Sequence, residues 1–214
     1  MKPLANKLSK QMILDAATAV FAEKGFDGAR VDEIARRAGV NKALIYYYFE
    51  SKDKILEELM EGIIKDLIEF KDGLAIFMED INPRQFFDSQ ILDEILRKYF
   101  NFARKHRPLL NIIMTEAMKE TASKNVFFQM LNMFVEDNMN RTKMLKGKIM
   151  DYESFRISVI FLAYMPMFNF ITLGEKWAEY NGVDYATAED KYLQVFKNLY
   201  YDYFLTEIFR IDFD

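Results

Sequence analysis

The chain is predicted to be all-α, on three observations. Helix breakers are rare, with 8 Gly and 4 Pro among 214 residues; apolar residues recur at helical spacing almost throughout; and no segment alternates polar with apolar residues as a half-buried strand does. Hydrophobic residues make up 51% and charged residues 29%, enough to bury a core and unlike a disordered chain. About nine helices are expected, in a small N-terminal domain (1–50) followed by a larger helical one (51–214).

The first helix rests on Ile13, Ala16, Ala17, Val20 and Phe21, which fall at i, i+3, i+4, i+7 and i+8. Ser9 is its expected N-cap and Gly25 the left-handed residue that ends it. Val31, Ile34, Ala35 and Ala38 give a short second helix stopping at Gly39, and Asn41 caps a third over 42–49. Ser51 caps a fourth, whose stripe of Ile55, Leu56, Leu59, Met60, Ile63, Ile64 and Leu67 continues to about 71, before Asp72-Gly73. Asn82-Pro83 opens a helix to about 106, and Pro108 another to about 122. Helices over 123–144 and 151–173, a loop at 175–184 around Asn181-Gly182, and a last helix over 185–210 complete the series.

The net charge of −4 argues against a nucleic-acid binder when taken over the whole chain. It conceals an asymmetry, because residues 1–52 hold nine basic and six acidic side chains, a net +3 that leaves −7 for the remainder. A basic segment on an acidic body holds a polyanion at one end while the rest is repelled from it. The absence of Cys removes disulfides, thiolate metal sites and a cysteine nucleophile. The single His106 and the lack of a glycine-rich phosphate loop or a histidine pair leave no catalytic or metal constellation, so neither an enzyme nor a cofactor is expected. The N-terminus MKPLANKLSK is too polar for a secretory signal, and a cytoplasmic protein is expected. Residues 157–173 carry no charge and reach the lower limit for crossing a bilayer, but include Ser158, Pro166, Asn169 and Thr172; a buried helix is expected there, with no membrane partner.

Residues 31–49 have the spacing of a helix-turn-helix, two short helices separated by Ala38-Gly39-Val40-Asn41. Such a pair presents its second helix to a DNA major groove, although an αα-hairpin in any helical bundle has the same spacing. Composition favours the first reading. Tyr46, Tyr47 and Tyr48 sweep about 200° of helix surface, so a small domain cannot bury all three. With Lys42, Arg36, Arg37 and Lys52 nearby they make a surface for phosphates and base edges.

At these residues the chain resembles the TetR family of transcriptional regulators. The resemblance runs from Ile13 to about Leu59 and is carried by Ala16-Ala17, Val20-Phe21, Gly25-Phe26, Ile34-Ala35, Ala38-Gly39-Val40, Ile45-Tyr46, Phe49, Lys52 and Leu56, in order and at the family's spacing. It implies a homodimer whose N-terminal domains bind a near-palindromic double-stranded DNA operator, and a C-terminal domain that dimerises and binds a small effector; a repressor released by a small hydrophobic effector is the function expected. It places Lys42, Ala43, Leu44, Tyr46, Tyr47 and Tyr48 on the recognition helix and Lys52 at a backbone phosphate. Arg30 stands where the family usually has Ser or Thr, which replaces phosphate capping by an ionic contact; Leu44 stands where a small or hydroxyl residue is common, suiting a thymine methyl. The expected DNA-binding set is therefore Arg30, Arg36, Lys42, Ala43, Leu44, Tyr46, Tyr47, Tyr48 and Lys52.

The body supplies many aromatic and Met side chains, typical of an adaptable apolar cavity and equally of plain core. Phe102, Met114, Glu116, Met118, Phe134, Tyr164, Phe168 and Asn169 are the candidate effector residues, Glu116 and Asn169 being polar groups within apolar runs. Pro166 should kink its helix. Phe161, Tyr192, Phe196, Leu199, Tyr200 and Tyr203 are candidates for a four-helix dimer interface. A helical carrier or sensor of a hydrophobic small molecule, without DNA binding, is the alternative function.

Overall fold

The computed structural model describes residues 2–79, 81, 89–119, 126–144 and 151–203. Every regular element among the described residues is helical, as the sparse breakers predict. Two compact units emerge, Met1–Lys71 with His106–Val126, and Asp72–Lys105 with Phe127–Asp214. This structural division differs from the functional boundary expected at residue 50, because the start of the fourth helix and the whole sixth pack with the helix-turn-helix.

In the first unit α1 (Lys2–Gly28) starts well before Ser9. Pro3 falls in the first turn, where no backbone donor is needed, and Leu4, Ala5 and Lys7 are good helix formers, so nothing requires a cap at Ser9. Regular helix ends where the glycine predicts, Gly25 taking φ 71° and ψ 165°. α2 (Val31–Ala38) stops at the left-handed Gly39, φ 66°, whose N–H and that of Val40 satisfy the last carbonyls. α3 (Lys42–Tyr48) and α4 (Lys52–Glu79) follow, and α6 (Arg107–Ala117) packs on α1. The core is continuous across these helices: Ile13, Ala17, Val20 and Phe21 meet Ile34, Ala35, Ile45, Phe49, Ile55, Ile63, Leu110 and Ile113, all buried.

α4 runs through Asp72-Gly73, where a stop was expected. Buried Leu74 continues the stripe one heptad beyond Leu67, and its burial outweighs the roughly 1 kcal/mol that a helical glycine costs.

The second unit contains α5 (Ser89–Lys105), α7 (Val126–Met144), α8 (Tyr152–Ile157), a π-helical segment (Ser158–Tyr164), α9 (Met165–Asn181) and α10 (Tyr185–Tyr203). Asp151 caps α8 by accepting from Ser154 N at 3.0 Å. Pro166 produces no sharp break; the preceding turn widens instead, Met165 N–H donating to the carbonyl of Ile160 five residues back. Such a widened turn accommodates a residue with no donor and a bulky ring. The loop expected at 175–184 shrinks to 182–184: buried Ala178 keeps α9 helical, left-handed Gly182 ends it, and Asp184 caps α10 through Thr187 N at 2.9 Å. α6 ends at Ala117 with Met118 as its C-cap, short of the end expected near 122, while the expected helix starts at Pro83 and Ser123 and the end at 210 lie outside the described residues.

A tight aromatic cluster forms this unit's core. Phe134 stacks on Tyr164 with centroids 4.2 Å apart, Tyr99 and Phe168 join at 6.0 to 6.4 Å, and Phe170 stacks on Tyr192 at 4.1 Å. The run Tyr152–Asn181 is long and apolar enough to cross a membrane, yet half of its most apolar stretch is buried within the unit.

Candidate nucleic-acid interface

The candidate DNA-facing surface begins with α3, whose seven residues are too few to hold a helix in isolation. Two devices fix it. Asn41 Oδ1 accepts the N–H of Leu44 at 2.8 Å, and Ile45 and Phe49 insert into the core. Anchoring that face obliges the opposite one to point outward: Lys42, Ala43, Tyr46 and Tyr47 are exposed, Tyr47 by 70%, while Leu44 and Tyr48 are half-buried. The sequence argument that three successive tyrosines cannot all be buried is thereby realised.

The cations around α3 fall into two groups. Arg30 and Arg36 are exposed and make no ion pair among the described residues. Arg30 occupies the N-cap position of α2 in extended backbone without a side-chain cap bond, so its side chain is left to the solvent side. Lys42 reaches Asp32 at 2.8 Å, and that carboxylate holds the ammonium above its ordinary pKa. Both partners are solvent-exposed, and an exposed pair contributes so little that a phosphate can replace Asp32 at small cost.

Arg37 and Lys52, by contrast, are committed internally. The Arg37 guanidinium grips Glu23 through two bonds of 2.6 and 2.5 Å and Glu33 at 2.9 Å, tying α2 to the end of α1; it holds the Glu23 carboxyl below the usual carboxylate range, and Lys24, at 2.5 Å, together with Arg37 does the same for Glu33. Arg37 thus does not join the phosphate surface expected of it. Lys52 was expected at a backbone phosphate; its ammonium instead donates to the carbonyls of Phe26 at 2.6 Å, Ala29 at 3.2 Å and Asp27 at 3.4 Å and lies 4.4 Å from the Phe26 ring centroid. These carbonyls lie in the turn after Gly25, where helical partners run out.

Sequence reasoning did not foresee Asn6, which accepts a 2.6 Å hydrogen bond from the Tyr48 hydroxyl. Nor did it foresee Lys119, which bonds Asp27 at 2.7 Å and Glu116 at 2.6 Å and holds the Asp27 carboxyl below its ordinary pKa. Neither contact leaves a signal in spacing, since the partners lie 42 and 92 residues apart.

Of the candidate effector residues, Phe134, Tyr164 and Phe168 come together in the aromatic cluster, with Asn138 donating to the Tyr164 hydroxyl at 3.0 Å. Phe102 is half-buried in the same unit, and Asn169 is exposed. Met114, Glu116 and Met118 belong to the first unit, where Met114 is core, Glu116 pairs with Lys119, and Met118 is 80% exposed. The eight residues are thus divided between the two units. Among the dimer candidates Phe161 and Leu199 are exposed, but Tyr192 stacks inward on Phe170 and Phe196 is buried beside Tyr192. The side chains of Tyr200 and Tyr203 lie outside the described residues.

A short capped helix, anchored by its apolar face and presenting phenols and cations outward, defines the class: a helix-turn-helix DNA-binding protein. Residues 13–59 match the family described as bacterial regulatory proteins, tetR family, and this match together with the relatives below indicates a TetR-type transcriptional regulator. It is similar to the HTH-type transcriptional repressor NicS of Pseudomonas putida, 29% identical over 112 residues that make up 52% of this chain and 50% of that protein. A second relative is the biofilm operon icaADBC HTH-type negative transcriptional regulator IcaR of Staphylococcus epidermidis, 34% identical over 28% of this chain and 33% of that one. The chain thus spans half or less of the length of these relatives. The fold matches the transcriptional regulator FadR of Bacillus subtilis, solved in complex with stearoyl-CoA, with a TM-score of 0.61 over 87% of this chain and 96% of that chain at 18% identity.

Proposed function

We propose that this DNA-binding regulator is a repressor that binds a near-palindromic operator as a homodimer and is released by a small hydrophobic effector. The observation that carries the DNA reading is the outward face of α3, with Tyr46 and Tyr47 exposed beside Lys42, Arg30 and Arg36 while Ile45 and Phe49 anchor the other side. On this reading Tyr46, Tyr47, Lys42 and Ala43 enter the groove, Leu44 meets a thymine methyl, and Arg30 and Arg36 contact flanking phosphates. Residues 1–50 supply the reading head, and residues 51–214 supply effector binding and self-association.

Two copies of α3 must sit about 34 to 36 Å apart to enter successive major grooves. Self-association is supported by the exposed apolar side chains Ile157, Phe161, Leu162, Leu173 and Trp177 on one helical run and Leu199 on α10. The aromatic cluster of Phe134, Tyr164 and Phe168, with Asn138 as a polar handle, is the proposed effector region. The stearoyl-CoA held by a protein of the same fold makes a long acyl chain the first effector to try. An effector that prefers the body in the arrangement with the wrong spacing removes the dimer from DNA by its differential affinity.

The test is electrophoretic shift with genomic fragments. Salt-sensitive, selective binding to a dyad-symmetric site is expected, abolished by replacing Lys42 and Tyr47 together by Ala with the helical spectrum intact. Equal retention of all fragments, or binding untouched by the double replacement, would overturn the proposal.

A further inference from the structure

The DNA interface deduced so far begins at α2, and the segment that matches the family begins at residue 13. Asn6 and Lys7 precede both. α1 nevertheless starts at Lys2, and its opening turns lie against the recognition helix: Tyr48 at the end of α3 donates its hydroxyl proton to Asn6 Oδ1 at 2.6 Å. One turn further along α1, Lys10 bonds Glu58 of α4 at 2.7 Å and sits 5.5 Å from the Phe49 ring. Both contacts lie within the first unit, so the beginning of α1 is held beside the reading head.

The Asn6 carboxamide has two N–H donors and an oxygen with two lone pairs, one of which accepts from Tyr48. Asn6 is exposed, and its amide N–H groups meet no partner among the described residues. Lys7 beside it is also exposed and makes no ion pair among the described residues. An asparagine that reads adenine turns its carbonyl and its amide together to one base edge, and here the carbonyl is oriented by Tyr48. Two N–H donors and an ammonium, without partners among the described residues, complement a phosphodiester.

We infer that the opening turns of α1 form a second arm of the DNA interface, in which Asn6 donates to a backbone phosphate, Lys7 neutralises charge on the same strand, and Tyr48 acts as a positioning residue that aims Asn6. This rests on the DNA-binding reading above. It assigns Tyr48 a role through Asn6 in place of its own contact with DNA.

The full-length protein is titrated, by fluorescence anisotropy, with a duplex that the wild-type chain itself selects from a random pool. Asn6→Ala and Tyr48→Phe are each expected to weaken binding about 5-fold per subunit, as loss of one hydrogen bond does. The double variant should be no weaker than either single one, because both remove the same contact. Asn6→Asp keeps the acceptor for Tyr48 but turns a donor into a charge that phosphate repels; it should bind more weakly than Asn6→Ala, most visibly at low salt, which a merely structural asparagine would not do. Lys7→Ala should reduce the slope of log K against log salt by about 0.9 per subunit with the selected sequence unchanged.

Losses that multiply in the double variant would show Tyr48 touching DNA itself. Wild-type affinity in Asn6→Ala and Asn6→Asp, with an unchanged salt slope in Lys7→Ala, would place α1 outside the interface. Either result overturns the inference while leaving wild-type binding in place; failure of the wild-type chain to select any duplex would overturn the DNA reading and this inference together.

Discussion

Replacing Lys52 by Met separates two roles for one ammonium. The structure directs it at three carbonyls, the closest at 2.6 Å, and at the Phe26 ring, all in the turn that follows the positive-φ Gly25. Methionine keeps most of the apolar stem and removes the charge, so the packing loss is small. A charge-assisted bond to neutral carbonyls contributes about 1.5 to 3 kcal/mol when sheltered, and the half-exposed position of Lys52 lowers this to about 1 to 2 kcal/mol. For a chain of this size that loss lowers Tm by roughly 2 to 8 °C. Thermal melting followed by circular dichroism, together with DNA titrations at several salt concentrations, reads both quantities. The expected outcome is a lowered Tm with the salt slope of the remaining binding unchanged. An unchanged Tm with a slope reduced by about 0.9 per subunit would mean that Lys52 neutralises a phosphate, and the internal tie would be refuted.

Three further outcomes follow from the same geometry. Asn41→Ala removes the acceptor of Leu44 N and should cost about 1 kcal/mol, with Asn41→Ser recovering most of it in urea melts; equal loss in the two variants would deny the cap. Phe134→Ala opens the aromatic cluster and should cost about 3 to 5 kcal/mol in the second unit, read from its denaturation midpoint, whereas a cost near zero would mean the ring is not packed as described. Lys119→Ala should lower Tm at pH 7 and by progressively less as pH falls below the ordinary carboxylate range. The Asp27 carboxyl is held below its ordinary pKa by Lys119, so the stabilisation is complete above the ordinary carboxylate range and fades as pH falls through the depressed value. A difference between wild type and variant that persists undiminished at pH 3 would contradict the pairing.

What the sequence revealed was set by local physics, and what it concealed by contacts distant in the chain. The helix-turn-helix was legible because its periodicity, the left-handed Gly39 and the Asn41 cap are each encoded within a few residues. The outward phenols followed from helical geometry alone. Lys52 read as a phosphate ligand because a lysine beside a recognition helix carries the same letter whether it faces DNA or three carbonyls. Among the candidate effector residues Glu116 and Asn169 stand out by polarity within apolar runs, and that criterion does not tell Asn169, exposed on α9, from Asn138, tied to Tyr164 in the aromatic cluster. Helix ends were misplaced where one buried side chain outvoted a breaker, as Leu74 does beyond Gly73 and Ala178 does inside the expected loop.

The return of α6 to pack on α1 has a consequence for modularity. Leu110 and Ile113 close the same core as Phe21 and Ile63, so the reading head borrows part of its foundation from chain more than fifty residues downstream. A graft that transplants residues 1–50 onto a foreign body would carry the operator-reading letters without their floor. Chimaeras should therefore carry α6 along with residues 1–71, and because α5 belongs to the other unit no single cut in the chain separates the two.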